Sequence, residues 1–131
     1  MTQGLHLTAD LRGCAPDHPW MTCADALRQA CLEAVTRCGL HPVGECFHRF
    51  PSPAQGGPGG VTGMVLLAES HLAVHTWPES GLVTLDVFVC NQGKDNGHKA
   101  RALREALLTG FAPAQASLQA LDRGLPEAAS T

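Results

Sequence analysis

The residues best suited to chemistry lie within fifteen positions, in the segment LLAESHLAVHTWPES at residues 66–80. It contains Ser70 directly after Glu69, two histidines four positions apart, and a Trp-Pro-Glu sequence. A serine hydroxyl can act as a nucleophile, and a neutral histidine can accept or return a proton near pH 7. Strand-like runs flank Ser70 on both sides, so we expect these groups at the junction of two strands.

Strand alternation collects several of these groups on one face of the predicted sheet. In HLAVHTW (71–77), Leu72 and Val74 share one face, while the other face carries His71, His75 and Trp77. In LVTLDVFVC (82–90), the alternate positions are aliphatic, and the remaining face carries Thr84, Asp86, Phe88 and Cys90. The aliphatic sets should lie under helices, which leaves the other face as the wall of an active site.

The residues alone do not name a reaction. A serine at a strand junction is usually a turn residue, and a tryptophan on a sheet face usually packs against neighbours. The HLAVH spacing lacks the glutamate of the HExxH zinc motif and lies in a strand, so we expect no metal. Ser70 has none of the G-x-S-x-G context of a hydrolase elbow.

The remaining elements favour an α+β fold, with an antiparallel sheet and two helices on one face. The pattern predicts strands at 4–13, 42–50, 61–69, 71–77, 82–90 and 113–124, and helices at 23–38 and 95–109. The expected N-caps are Thr22 for the first helix and Asp95 or Asn96 for the second, which Gly110 should end. The segment PSPAQGGPGG at 51–60 predicts a flexible loop, and 125–131 a frayed tail.

The composition of the 131 residues is typical of a single domain, 1–131. The net charge of −3 does not favour binding to nucleic acid or to an anionic membrane surface. No apolar run approaches the ~20 residues of a membrane span, and no signal peptide is visible, so we expect a cytoplasmic protein. The six cysteines form no CxxC pair, and we expect reduced thiols that mostly serve as small core residues.

The string AESHLAVHTWPE, followed by DVFVC, resembles the prokaryotic S-adenosylmethionine decarboxylases, which are pyruvoyl enzymes made as self-processing proenzymes. HLTADLRGC, CFHRF and GVTG extend the likeness over most of the chain. The resemblance implies cleavage between Glu69 and Ser70, giving a β chain, 1–69, and an α chain, 70–131. It also implies that Ser70 becomes a pyruvoyl cofactor, which forms a Schiff base with the substrate amine.

The resemblance also assigns roles to other residues. Thr62 would support processing, His75 would transfer the proton of the elimination step, and Cys90 would donate a proton during turnover. Phe50 and Trp77 would stack on the adenine, and Glu79 would bind the ribose hydroxyls. The family forms homodimers or larger assemblies in which two sheets stack as an α/β/β/α sandwich. Its decarboxylated product supplies aminopropyl groups for polyamine (spermidine) biosynthesis.

Two departures from the family leave alternatives open. The loop at 51–60 is longer than usual, and Asn91 stands where the family commonly has glycine. A pyruvoyl-dependent L-ornithine or L-arginine decarboxylase would need the same processing residues, with Glu79 or Asp86 turned toward a distal cation. A paralogue that has lost processing and only binds a regulatory ligand is a further alternative.

Overall fold

In the computed structural model, which describes residues 3–91 and 93–124, the chain folds into one antiparallel sheet of six strands with helices packed on one side. The spatial order of the strands is β2-β3-β4-β5-β1-β6. The elements are β1 (Gly4–Arg12), α1 (Pro19–Thr22), α2 (Ala24–Arg37), β2 (Pro42–Arg49), β3 (Val61–Leu67), β4 (Ser70–Trp77), a 3₁₀ turn (Pro78–Ser80), β5 (Leu82–Cys90), α3 (Gly97–Phe111) and β6 (Gln115–Arg123). The predicted α+β class and the antiparallel sheet are confirmed.

The core lies between the sheet and the helices, as the strand alternation predicts. Leu72 of β4 and Leu85 of β5 are fully or almost fully buried on the helix side, together with Leu7 of β1. The helices contribute Cys31 from α2 and Leu103 from α3 to the same cluster. Each of these leucine side chains stabilises the fold by about 1.5–3 kcal/mol through removal of apolar surface from water.

The start of the first long helix differs from the prediction. Thr22 is not its N-cap, because residues 19–22 form the separate short helix α1, which was not predicted. His18 caps α1 by accepting a hydrogen bond at Nδ1 from the backbone N–H of Trp20, and Pro19 begins the helix. Cys23 then caps α2, with its sulfur accepting from the backbone N–H of Ala26 at 3.4 Å.

The second long helix also ends later than predicted. Asn96 is the N-cap of α3, but Gly110 does not end the helix, which continues to Phe111 and stops at Ala112 with a φ of 51°. Gly110 lies inside the helix, at a position where another residue occupies the space of a side chain. A Cβ there would lie 2.1 Å from the indole ring of Trp20. The glycine therefore serves close packing rather than termination.

Among the described residues, no element covers the face of the sheet opposite the helices. It exposes Met64 and Leu66 of β3 and Leu121 of β6. Residues 51–60 contain neither helix nor strand, and the predicted tail at 125–131 lies outside the described residues. In the part of the chain that the structure describes, no helix is long and apolar enough to cross a membrane.

Candidate active site

The predicted cleavage point lies in the tight turn between β3 and β4. Leu67 pairs with Ser70, so Ala68 and Glu69 alone form the connection. Glu69 has a φ of 54°, a left-handed conformation that costs a residue with a Cβ roughly 1–2 kcal/mol. The peptide bond between Glu69 and Ser70 therefore joins a strained residue to the first residue of β4.

Ser70 and Cys90 are in direct contact at this end of the sheet. The backbone N–H of Cys90 donates a hydrogen bond to Ser70 Oγ at 3.0 Å. The thiol of Cys90 donates to Oε2 of Glu69 at 3.8 Å, a weak contact. The structure thus places the predicted nucleophile, the residue before it and the predicted proton donor together, in a group that we call the cleavage end.

The other predicted site residues line a cavity of about 350 Å³ at the opposite end of β4. Thr62 pairs with His75 across β3 and β4, and Thr62 Oγ1 lies 2.9 Å from His75 Nδ1. The His75 and Trp77 rings are 5.9 Å apart between centroids. We call this cavity the distal pocket; five of its lining residues are Phe50, Thr62, His75, Trp77 and Glu79.

Two glycines bring Phe50 into the distal pocket. The backbone N–H of Phe50 donates to the carbonyl of Gly60 at 2.9 Å, which closes the loop at its base. A Cβ on Gly60 would lie 2.0 Å from the carbonyl oxygen of Thr76, and a Cβ on Gly59 would lie 1.9 Å from that of Phe50. The absence of side chains at 59 and 60 thus allows the end of β2 to approach the end of β4.

The cleavage end and the distal pocket do not meet within one chain. Ser70 and His75 are five positions apart on the same strand, which corresponds to about 17 Å at ~3.4 Å per residue. A hydrogen bond spans about 3 Å. His75 therefore cannot reach the Ser70 of its own chain without dismantling β4.

The uncovered face carries a polar cluster that the sequence only partly indicates. His6 Nε2 lies 3.0 Å from an Asp86 carboxylate oxygen, and Arg123 donates toward His6 Nδ1 at 3.3 Å. The ring of Phe88 stacks on His71 at 5.8 Å between centroids and meets His6 edge-on. Alternation predicts Asp86 and Phe88 on this face, whereas the part played by His6 depends on the pairing of β1 with β5.

Burial separates the six cysteines into different chemical classes. All six are free thiols. Burial raises the pKa of Cys31 to about 12 and also raises the pKa values of Cys14 and Cys38, so these thiols remain protonated at neutral pH. Among the described residues, no group of three or more His, Cys, Asp and Glu could hold a metal ion.

A larger cleft, of about 480 Å³, lies between α2 and α3 on the helix layer. Much of its wall consists of alanines, including Ala30 and Ala106, and it contains none of the predicted site residues. The chemistry-bearing side chains are instead on the sheet, at the cleavage end and in the distal pocket.

The fold and the site together define a two-layer α+β domain with a serine, a thiol and a histidine distributed along neighbouring antiparallel strands. A family model described as S-adenosylmethionine decarboxylase matches residues 5–124. The chain therefore belongs to the S-adenosylmethionine decarboxylase family, which confirms the resemblance found in the sequence.

Individual relatives span nearly the whole chain. The S-adenosylmethionine decarboxylase proenzyme of Aquifex aeolicus is 35% identical over 126 residues, covering 96% of this chain and 84% of the relative. The proenzyme of Archaeoglobus fulgidus is 36% identical over 124 residues, covering 95% of this chain and 100% of the relative. The crystal structure of the Aquifex aeolicus adenosylmethionine decarboxylase matches with a TM-score of 0.81 and 33% identity, over 97% of this chain and 95% of that one.

Proposed function

We propose that this chain is a proenzyme that cuts itself between Glu69 and Ser70 and then decarboxylates S-adenosylmethionine. The observation that carries the proposal is the position of Ser70. It directly follows Glu69, which has a φ of 54°, and its hydroxyl accepts a hydrogen bond from the N–H of Cys90. Backbone strain of this kind concentrates at reactive sites. Membership of the family and the proenzyme names of the relatives support the same reaction.

Self-cleavage begins with attack of Ser70 Oγ on the carbonyl carbon of Glu69. The C–N bond breaks and an ester forms between Ser70 Oγ and the Glu69 carbonyl carbon. Removal of the Cα proton of residue 70 then expels the Glu69 carboxylate, and hydrolysis of the resulting dehydroalanine releases ammonia and leaves a pyruvoyl group. The products are a β chain, 1–69, and an α chain, 70–131.

The surroundings of Ser70 fit such a group. The N–H of Cys90 already contacts the side-chain oxygen of residue 70, and the thiol of Cys90 lies nearby, on the side of Glu69. The pyruvoyl group supplies a carbonyl that accepts the electrons left when CO₂ departs. The Cys90 thiol carries a proton that it can donate to the substrate carbon.

The distal pocket suits a nucleoside with a positive charge nearby. The flat side chains of Phe50 and Trp77 are 47% and 38% exposed and offer stacking surfaces for adenine. Glu79 lines the same cavity and can accept hydrogen bonds from ribose hydroxyls. An aromatic face also attracts a sulfonium cation by ~0.5–2 kcal/mol. The decarboxylated product would then donate aminopropyl groups in polyamine (spermidine) biosynthesis.

The distance between the two halves of the site supports the participation of a second copy of the chain. Stacking two uncovered sheet faces in antiparallel directions would bring the distal pocket of one protomer to the cleavage end of the other. In the tautomer in which Nδ1–H of His75 donates to Thr62 Oγ1, Nε2 can accept the Cα proton. We therefore propose a homodimer, or a multiple of one, in which two copies complete each active site.

Gel electrophoresis and a CO₂-release assay test the proposal. The unmutated protein should separate under denaturing conditions into two fragments, each roughly half of the 13.8 kDa chain, while Ser70→Ala should remain one band. The cleaved protein should release CO₂ from S-adenosylmethionine and not from L-ornithine or L-arginine. A single intact band from active protein would disprove self-cleavage, and release from ornithine alone would disprove the substrate.

A further inference from the structure

The segment after Cys90 contains an unusually buried polar residue. Asn91 is 5% exposed, and Thr76 is the other polar side chain that the described residues bury this deeply. The backbone N–H of Asn91 donates to the carbonyl of Gln3 at 2.7 Å, which fixes this position to the start of β1. Its side-chain Oδ1 accepts the backbone N–H of Asn96 at 2.8 Å, which fixes the start of α3.

The side chain of Asn96 in turn forms a hydrogen bond to Cys90. Its side-chain Nδ2 donates to the backbone carbonyl of Cys90 at 2.9 Å, whereas its Oδ1 is buried and has no hydrogen-bond partner among the described residues. A rotated amide would place Oδ1 against the Cys90 carbonyl, and two acceptors repel each other. The Asn96 amide is therefore oriented with Nδ2 toward the Cys90 carbonyl, although nothing in the described part of the chain donates to its Oδ1.

These contacts continue directly to the cleavage residue. The carbonyl of Cys90 accepts from Asn96, and the N–H of the same residue donates to Ser70 Oγ at 3.0 Å. We propose that Asn91 and Asn96 are positioning residues, which clamp the backbone of Cys90 so that its N–H stays on the Ser70 hydroxyl during self-cleavage. This inference rests on the proposed function and adds residues that act through Cys90 rather than on the reacting atoms.

The physical effect is preorganisation. A nucleophile held in one orientation reacts faster than one that samples several, and small displacements of the supporting group reduce the rate. Loss of the Asn96 donor should release the Cys90 peptide group while Ser70 and the Cys90 thiol remain present. One hydrogen bond of this kind corresponds to a roughly tenfold change in rate.

The experiment follows cleavage of newly made full-length chain in a cell-free translation pulse-chase. Asn96→Asp keeps the size of the side chain but replaces its donor with an acceptor, and should slow cleavage roughly tenfold. Asn91→Ala should slow it by a similar factor. Asn91→Asp retains the Oδ1 acceptor at the N-terminus of α3 and should restore a rate within about twofold of the unmutated chain.

Asp95→Asn is the matched control in the same loop. Asp95 Oδ1 accepts from the backbone N–H of Gly97, an interaction that asparagine can keep, so its cleavage rate should not change. Thermal melting of each chain in its Ser70→Ala form, which stays uncut, shows whether it is folded at the assay temperature. Cleavage of folded Asn96→Asp at the unmutated rate would overturn the clamp. Failure of the unmutated chain to cut itself would instead overturn the proposed function.

Discussion

Cleavage of a chain that lacks its own His75 would test directly whether two copies share one site. The separation of about 17 Å between Ser70 and His75 exceeds hydrogen-bond reach more than fivefold. If His75 serves self-cleavage as proposed, it acts on the Ser70 of another copy. In a mixed dimer of Ser70→Ala and His75→Ala chains, one of the two sites carries both substitutions and the other carries neither. The intact site contains the Ser70 of the His75→Ala chain, so that chain should be cut.

The assay refolds the two variants together from denaturant at equal concentrations, with a tag that distinguishes the chains on a gel. Random pairing puts about half of the His75→Ala chains into mixed dimers, so up to about half of them should be cleaved. Each variant refolded alone should be cut slowly or not at all. If His75→Ala is no better cut in the mixture than alone, the shared site is refuted, provided that crosslinking shows mixed dimers. Rapid cleavage of His75→Ala by itself would remove the assigned role of His75.

Three further experiments test separate parts of the structure. Gly60→Ala places a Cβ 2.0 Å from the Thr76 carbonyl oxygen, which distorts the distal pocket. The KM for S-adenosylmethionine should rise at least tenfold while self-cleavage continues. An unchanged KM would contradict the close approach of the two backbone segments at the distal pocket. Because burial raises the pKa of Cys31 to about 12, this thiol should resist alkylation at pH 8 in the native protein while the exposed Cys23 reacts, as peptide mass spectrometry can measure; equal labelling would contradict the burial. Cys90→Ala should still cut itself but lose sustained CO₂ release, and sustained release at the unmutated rate would exclude the thiol as proton donor.

Local patterns are sufficient to predict most of the fold. The period-two alternation identifies the buried positions of β5 and predicts Leu72 and Val74 of β4 correctly, because one face of each strand packs under helices, although Ala73 is buried as well. Helix ends are predicted less well, since they depend on contacts between distant residues. Gly110 remains helical because Trp20, ninety positions earlier, occupies the space of a side chain.

The candidate site could be predicted as a set of residues but not as an arrangement. Sequence proximity suggests that Ser70 and His75 act together, whereas the extended strand between them holds them apart. The contact of Cys90 with Ser70 depends on the register of β5 against β4, which a local pattern does not specify. The clamp by Asn96 has no sequence signal of its own, because an asparagine before a helix predicts only an N-cap.

The strain at Glu69 leads to a final prediction about the rate of self-cleavage. Glu69→Ala and Glu69→Gly both remove the carboxylate and its contact with Cys90, but only glycine adopts a φ of 54° without strain. If ester formation releases that strain, the glycine variant begins from a more stable precursor and should cut more slowly than the alanine variant. The full release of roughly 1–2 kcal/mol corresponds to a difference of about 5- to 30-fold. Pulse-chase rates of the two variants, measured side by side, provide the comparison. Because both lack the same carboxylate, equal rates would mean that the left-handed residue serves only to close the hairpin, and that the reactivity of this peptide bond comes from the groups around Ser70 instead.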